Sequence, residues 1–280
     1  MNPTSAKRLY RGAARIDAID PRHRGIAYGD GLFETMRVHA GRVHWWDRHW
    51  LRLAQGAARL GIVVPDALYV QAQVQGMVHG QGDGVLKLIL SRGVGGRGYA
   101  PSLDAESDWQ LSLHPLPVAP PAQGLVLRWC HTTLAYQPLL AGLKHCNRLE
   151  QVLARGEWQQ RGAHDIDADE GLMCDRDGNI VSAIAANLFA LRDGRWCTPL
   201  LDGSGVAGIC RGWALQALDA VETRIARADL AAADAVFLCN AVRGILPVAR
   251  LGDREWPPSA AIASAQRKLA AAHPAMNKLS

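Results

Sequence analysis

Apolar positions repeat along this chain at two periods, and the period changes often. Gly84 opens Val85-Leu86-Lys87-Leu88-Ile89-Leu90, an almost unbroken apolar run of strand length, which predicts a strand covered on both faces. Residues 15–45 read as short strands and turns. In them Tyr28-Gly29-Asp30-Gly31 is a glycine-rich turn, and Leu32 to Val38 alternate as a strand. Asp47 is placed to cap a helix with Leu53, Ala57 and Leu60 on one face and Arg52 beside it. Leu149, Val152, Leu153 and Gly156 also recur at helical spacing, which predicts a buried helix face starting just after Lys144. Further on, strands are expected at residues 124–130, 171–174, 180–182, 187–191 and 236–240, with Asp193-Gly194 as a tight turn leading to Trp196-Cys197-Thr198. Gly205 to Arg211 lead into a helix reaching about Val221, and Pro257-Pro258 set off an alanine-rich terminal helix.

This alternation of helical and strand patterns over 280 residues predicts an α/β (α+β) protein of two domains. The run His114-Pro115-Leu116-Pro117-Val118-Ala119-Pro120-Pro121 cannot sit inside a central strand or helix, so it reads as a stiff linker. The expected division is an N-terminal α/β domain over residues 1–114, a linker over 115–122, and a C-terminal domain over 123–280 that carries Lys144. No apolar run has the length of a membrane span, and Met1-Asn2-Pro3-Thr4-Ser5 lacks the core of a signal peptide. The six cysteines have neither paired spacing nor a CxxC, which fits reduced thiols in a cytoplasmic protein better than disulfides or a zinc site. A net charge of +5 spread over scattered arginines suits small anionic ligands and is not a nucleic-acid signature.

Three stretches carry candidate chemistry. In Ala141-Gly142-Leu143-Lys144-His145-Cys146-Asn147-Arg148-Leu149-Glu150-Gln151, a flexible Ala-Gly pair delivers a lysine next to an apolar helix. A lysine held near an interior loses hydration, and its neutral amine can attack a carbonyl to form a Schiff base. Ser91-Arg92-Gly93-Val94-Gly95-Gly96-Arg97-Gly98-Tyr99 is a loop of four glycines and two arginines, either a surface loop or a flap whose guanidinium groups bind carboxylates. The glycines before the helix at Ile209 and Cys210 would leave backbone N–H groups pointing at an anion. A Schiff-base lysine, an arginine and a helix start for a phosphate, and a glycine-lined pocket are together what pyridoxal phosphate requires.

The chain resembles the fold-type IV pyridoxal-phosphate enzymes, a family that includes branched-chain and D-amino acid aminotransferases. The likeness runs from about His23 to Val248. It is carried by Gly29-Asp30-Gly31-Leu32-Phe33-Glu34-Thr35, His49-Trp50-Leu51-Arg52-Leu53, the Ser91–Tyr99 loop, the Lys144 stretch, Ala185-Ala186-Asn187-Leu188-Phe189 and Cys239-Asn240-Ala241. Within the family it looks most like the 4-amino-4-deoxychorismate lyases. The resemblance implies two α/β domains with the cofactor in the cleft between them, a homodimer, and an anionic, amine-bearing small-molecule substrate. It further implies that Lys144 holds the cofactor covalently and then serves as acid and base. Arg52 would grip the phosphate, aided by Ile209, Cys210, Asn240 and Ala241, with Asn187 also in the cofactor site. Thr35 matches a threonine of the lyases and would assist proton handling, while Arg92 and Arg97 are the expected ligands of the substrate carboxylates.

One position departs from the family. A glutamate usually stands five residues before the asparagine of the Asn-Leu-Phe motif and pairs with the protonated ring nitrogen, whereas here Ser182 occupies that place. A hydroxyl does not balance a pyridinium charge, so the neutral ring gains weight and the cofactor becomes a weaker electron sink. That counts against transamination more than against pyruvate elimination, which aromatisation of the substrate ring assists. Asp175 is the nearby acid that could fill the role instead. The alternatives left open are a fold-type IV aminotransferase and a catalytically silent pyridoxal-phosphate-binding homologue.

Overall fold

The computed structural model describes residues 7–102, 105–158 and 168–276. The segment Met1–Ser5, read above for a signal peptide, lies outside the described residues. The chain divides into two compact units. One contains residues 1–117 together with Leu143–Asn147, and the other contains 118–142 and 148–280.

The first unit is built on β1 (Lys7–Arg11), β2 (Ala14–Ile16), α1 (Arg24–Tyr28), β3 (Gly31–His39), β4 (Arg42–Val43), α2 (Trp46–Leu60), α3 (Ala67–Val78), β5 (Gly84–Ser91) and β6 (Asp108–His114). Its strands form one antiparallel sheet in the order β2-β1-β6-β5-β3-β4. The apolar run of β5 lies inside this sheet between β3 and β6; Leu86, Leu88 and Leu90 are buried on one face, while Lys87 and Ile89 on the other are half-buried, so the cover expected on both faces is only partial on the second. Helix α2 packs Leu53 and Ala57 against β3. It begins at Trp46, after Trp45 in the left-handed region (φ 56°), so Asp47 lies in the first turn and is not the cap. Helix α3 buries Val70, Val74 and Val78 at a spacing of one turn, and the Asp66 carboxylate accepts from the Tyr69 N–H at 2.8 Å to cap it.

The second unit comprises β7 (Leu125–Trp129), α4 (Leu149–Gly156), β8 (Glu170–Cys174), β9 (Ile180–Ala183), β10 (Asn187–Arg192), β11 (Arg195–Pro199), α5 (Ile209–Ala217), β12 (Val221–Thr223), α6 (Arg227–Ala231), β13 (Ala235–Asn240), β14 (Gly244–Leu251), β15 (Arg254–Glu255) and α7 (Ala260–Ala272). The sheet runs β12-β11-β10-β13-β14-β7-β8-β9, with β15 paired to β14. It is mixed: β7 is parallel to both β14 and β8, and β11 is parallel to β12. Asp193 (φ 48°) and Gly194 (φ 74°) make the tight turn between β10 and β11. Helix α5 stops at Ala217, short of the expected Val221, because the chain enters β12 there.

Two expectations fail here. Lys144 does not belong to the second unit: Leu143–Asn147 is hydrogen-bonded to β3 and groups with the first. The apolar stripe of α4 is not buried either. Leu149, Val152 and Leu153 are 77%, 63% and 64% exposed, and the buried residue of this helix is Ala154. Helical spacing identified the stripe correctly, but it faces away from the unit's own core.

Candidate active site

The first unit assembles its polar residues around β3. The Phe33 N–H donates to the Lys144 carbonyl at 2.9 Å, and the Cys146 N–H donates to the Gly31 carbonyl at 2.9 Å. These bonds lay the lysine segment along the start of the strand. Lys144 is half-buried, with Nζ 4.1 Å from the centroid of the Phe33 ring. Side chains alternate along a strand, so Phe33 and Thr35 share one face while Glu34 points to the other, towards α2.

On the α2 side, His49 and Arg52 are three residues apart on one helix face and both reach Glu34. Arg52 donates Nε to Glu34 Oε1 at 2.8 Å and Nη2 to Oε2 at 2.5 Å, while His49 Nδ1 lies 2.5 Å from Oε2. Burial alone would raise the Glu34 carboxyl, but the Arg52 charge and the contacts with His49 outweigh it and hold the pKa at about 2. Burial pushes the His49 imidazole below its ordinary range against the pull of Glu34, so the ring is neutral at pH 7. Nδ1–H is then the donor to Glu34. The bare Nε2 is buried with no hydrogen-bond partner among the described residues. Glu34 therefore fixes two donors of Arg52 and with them the direction of the guanidinium plane.

Arg92, expected to meet a substrate carboxylate, has protein partners on its guanidinium. It is 6% exposed, and its guanidinium is committed within the unit. Nε donates to Asp30 at 2.8 Å, Nη1 to the Gly61 carbonyl at 2.5 Å, and Nη2 to the Leu60 carbonyl at 2.6 Å. It caps the C-terminus of α2, where the carbonyls have no helical partner. Arg97, at the tip of the same loop, is exposed.

The sequence reading missed Lys87. It stands opposite Thr35 in the β3–β5 register, and its Nζ lies 5.2 Å from the Phe33 centroid, on the ring that also carries Lys144. The signal was present as the one charged residue in the apolar run of β5.

In the second unit, the N-terminus of α5 follows Gly208, and no side chain caps it. Asn187 Nδ2 donates to the Val206 carbonyl at 2.9 Å, and a Cβ at position 208 would come within 2.0 Å of Asn187 Oδ1. Asn187 thus shapes the loop that opens α5. Ile209 and Cys210 are the first two residues of the helix, so their N–H groups lack intrahelical acceptors. Contact with Cys239 and burial push the Cys210 thiol well up, so it stays protonated and brings no negative charge to the helix start. Asn240 Oδ1 accepts from Val242 N–H at 3.0 Å and Arg243 N–H at 2.8 Å, closing a turn around Ala241. Ser182 is buried on β9 opposite Met173. Asp175 is occupied: Oδ1 accepts from the N–H groups of Asp177 (3.0 Å) and Asn179 (2.8 Å), and Oδ2 from Asn179 Nδ2 (3.0 Å). It organises a turn and leaves position 182 without a substitute carboxylate from that residue.

The first unit thus offers a lysine laid against an aromatic ring, a second cation on that ring and a carboxylate-anchored arginine, and the second offers an uncapped helix start; a Schiff-base amine and an anion-binding helix start are each what a phosphorylated carbonyl cofactor calls for. Residues 31–251 match the amino-transferase class IV family, and the chain belongs to it. Among its relatives is the aminodeoxychorismate lyase of Vibrio harveyi, 34% identical over 247 residues covering 83% of this chain and 87% of that protein. The solved 4-amino-4-deoxychorismate lyase of Pseudomonas aeruginosa is 40% identical and superposes with a TM-score of 0.86, covering 94% and 98% of the two chains. The T.th. branched-chain amino acid aminotransferase, solved with pyridoxamine 5'-phosphate, shares the fold at 19% identity (TM-score 0.80, 96% and 94% covered).

Proposed function

We propose that this protein is a pyridoxal-phosphate-dependent lyase converting 4-amino-4-deoxychorismate to 4-aminobenzoate and pyruvate, a step towards folate. The observation that carries the reading is the Lys144 amine held over Phe33 on the sheet face that also bears Thr35 and Lys87, in a chain 40% identical to a solved lyase of this specificity. The residues fit the cofactor: α5 opens without a side-chain cap behind a glycine whose place a side chain could take only by displacing Asn187, and Arg52 is held by a buried carboxylate. When bound, pyridoxal phosphate supplies the carbonyl that takes up the substrate amine and a ring that draws electron density from the neighbouring carbon.

The chain's own residues do the rest. Lys144 Nζ holds the cofactor and, once displaced, moves the proton at the substrate carbon bearing the amine. Thr35 Oγ1 assists that transfer. Arg52 and the N–H groups of Ile209, Cys210 and Ala241 hold the phosphate, with Asn187 and Asn240 shaping the backbone that offers them. Lys87 and Arg97 bind the substrate carboxylates. Ser182 offers the ring nitrogen a hydroxyl and no formal charge, which favours elimination over amino transfer.

The test is the purified protein supplied with pyridoxal phosphate and 4-amino-4-deoxychorismate. Pyruvate released without any oxo-acid acceptor supports the lyase. Amino transfer that depends on an acceptor supports an aminotransferase, and a bound chromophore without either turnover supports a silent homologue.

The protein acts as a homodimer in the cytoplasm. The exposed stripe of Leu149, Val152 and Leu153, together with Tyr136 and Leu139 (62% and 77% exposed), is an apolar surface suited to a second copy of the chain. No helix among the described residues is long and apolar enough to cross a membrane. Sedimentation of the wild type against Leu149→Glu with Leu153→Glu decides the oligomeric state.

A further inference from the structure

The glycine-rich loop that carries Arg97 has little to hold it in shape from within. Gly93, Gly95, Gly96 and Gly98 all have positive φ (81°, 143°, 76° and 60°), and such a chain loses much conformational entropy when it is ordered. What orders it comes from outside the loop. Arg24, on the short helix α1, is 6% exposed, and its guanidinium points into the loop. Nη1 donates to the carbonyls of Gly98 at 3.0 Å and of Gly95 and Ala100 at 3.4 Å, and Nη2 donates to the Tyr99 carbonyl at 3.1 Å. Nε donates to Asp30 at 2.8 Å, so the fork is fixed from behind by the carboxylate that also binds Arg92. The Arg24 backbone N–H bonds the Gly93 carbonyl at 2.9 Å, and its guanidinium carbon lies 5.0 Å from the Tyr28 ring centroid. The four carbonyls bracket Arg97 on both sides.

We propose that Arg24 is a positioning residue for substrate binding: by gathering the carbonyls of residues 95, 98, 99 and 100 it sets where Arg97 presents its guanidinium. This rests on the reading of Arg97 as a carboxylate ligand. A planar fork is needed for the task, because a lysine ammonium that stays with Asp30 cannot also span the spread of acceptors that Arg24 reaches. Arg92 acts on the other end of the loop, tying it to α2, so the two arginines hold the base and the tip separately.

The experiment uses the holoenzyme with Arg24→Lys and Arg24→Gln, each beside Arg97→Ala and the corresponding double variants. Arg24→Lys keeps the charge facing Asp30 and guards against loss of folding. Both Arg24 variants are expected to raise KM for 4-amino-4-deoxychorismate about tenfold with kcat within about twofold, the pattern of lost substrate binding. Trypsin should cut after Arg97 about tenfold faster in both, because cleavage follows the population of opened loop. In the Arg97→Ala background, Arg24→Lys should change KM no further. Wild-type KM and wild-type cutting at Arg97 in Arg24→Lys would overturn the proposal, as would an equal KM rise with and without Arg97. If Arg97→Ala alone leaves KM unchanged, the reading of Arg97 fails and takes the catalytic consequence with it. Faster cutting in Arg24→Lys would then support the tie to the loop alone.

Discussion

Phe33 and Lys144 are joined twice: the Phe33 N–H donates to the Lys144 carbonyl at 2.9 Å, and the Lys144 Nζ lies 4.1 Å from the Phe33 ring centroid. The first contact fixes the backbone that carries the amine, and the second places the amine against an apolar, electron-rich surface. The lysine is therefore delivered by a strand of the first unit although it lies 111 residues beyond Phe33 (144 − 33). Lys144→Ala should abolish the visible absorbance of the lysine-bound cofactor and lower kcat by roughly a thousandfold or more, the scale of a lost acid–base group. Phe33→Leu should keep the absorbance and raise the mobility of the amine, read as a smaller loss of kcat. Colour retained in Lys144→Ala would sink the assignment.

The pairing of Glu34 with Arg52 and His49 predicts a pH-dependent contribution to stability. Glu34 titrates at about 2 in the fold against an ordinary value of 4.5, so the unfolded chain takes up its proton first on acidification. The contribution is complete above the ordinary value and is lost as pH falls from there through the folded value; it amounts to roughly 3 kcal/mol at pH 7. Glu34→Gln should lower the urea-unfolding free energy by about that amount at pH 7, and the difference from wild type should fall to roughly half or less near pH 3. The same variant should weaken the retention of pyridoxal phosphate, because Arg52 loses the group that orients it. A difference from wild type that does not change with pH would mean that the Glu34 charge contributes nothing.

Much of this arrangement could be read in the residues before the fold was known, and the failures have physical causes. The strand at 84–91 was legible as an unbroken apolar run, yet that reading expected cover on both faces and passed over Lys87, which with Ile89 stands half-buried on the less covered face. The stripe of α4 was misread because periodicity reports that a face is apolar and not what covers it. The partners of Arg92 were not legible because an arginine in a glycine-rich loop has the same sequence whether it meets a ligand or the carbonyls of Leu60 and Gly61. Those partners come from 31 and 32 residues away (92 − 61 and 92 − 60) on another element, and only the fold reveals them. Helix α2 starts at Trp46 because Trp45 adopts a positive φ that its residue type does not announce.

Arg92 and Arg97 sit five residues apart on one loop, and their variants should differ in kind. Arg92→Ala leaves Asp30 with Arg24 alone and uncaps the carbonyls at the end of α2, so it should cost on the order of 3 kcal/mol of stability. Arg97→Ala should leave the melting temperature within a degree or two and raise KM about tenfold, since an exposed arginine contributes little to folding. Lys87→Ala should also raise KM. Melting curves and initial rates on the same preparations separate the roles, and an Arg92→Ala enzyme of normal stability with a raised KM would reverse the assignment.

Ser182 offers the sharpest test of how the chain selects its reaction. It is 9% exposed on β9, and Asp175 is fully engaged by its own turn, so a carboxylate is missing from the place where the family usually has one. Ser182→Glu would restore it. In the cofactor-free protein that charge would be buried opposite Met173 on the neighbouring strand, and stability should fall by roughly 2 kcal/mol or more. With pyridoxal phosphate bound, the protonated ring nitrogen balances the charge, so most of the loss should be recovered and the cofactor should raise the melting temperature more in the variant than in the wild type. The same charge makes the cofactor a deeper electron sink, so acceptor-dependent amino transfer should gain about tenfold or more relative to pyruvate release. If the cofactor stabilises both proteins equally and the ratio of the two activities does not move, residue 182 does not face the ring nitrogen, and the preference for elimination must arise elsewhere in the site.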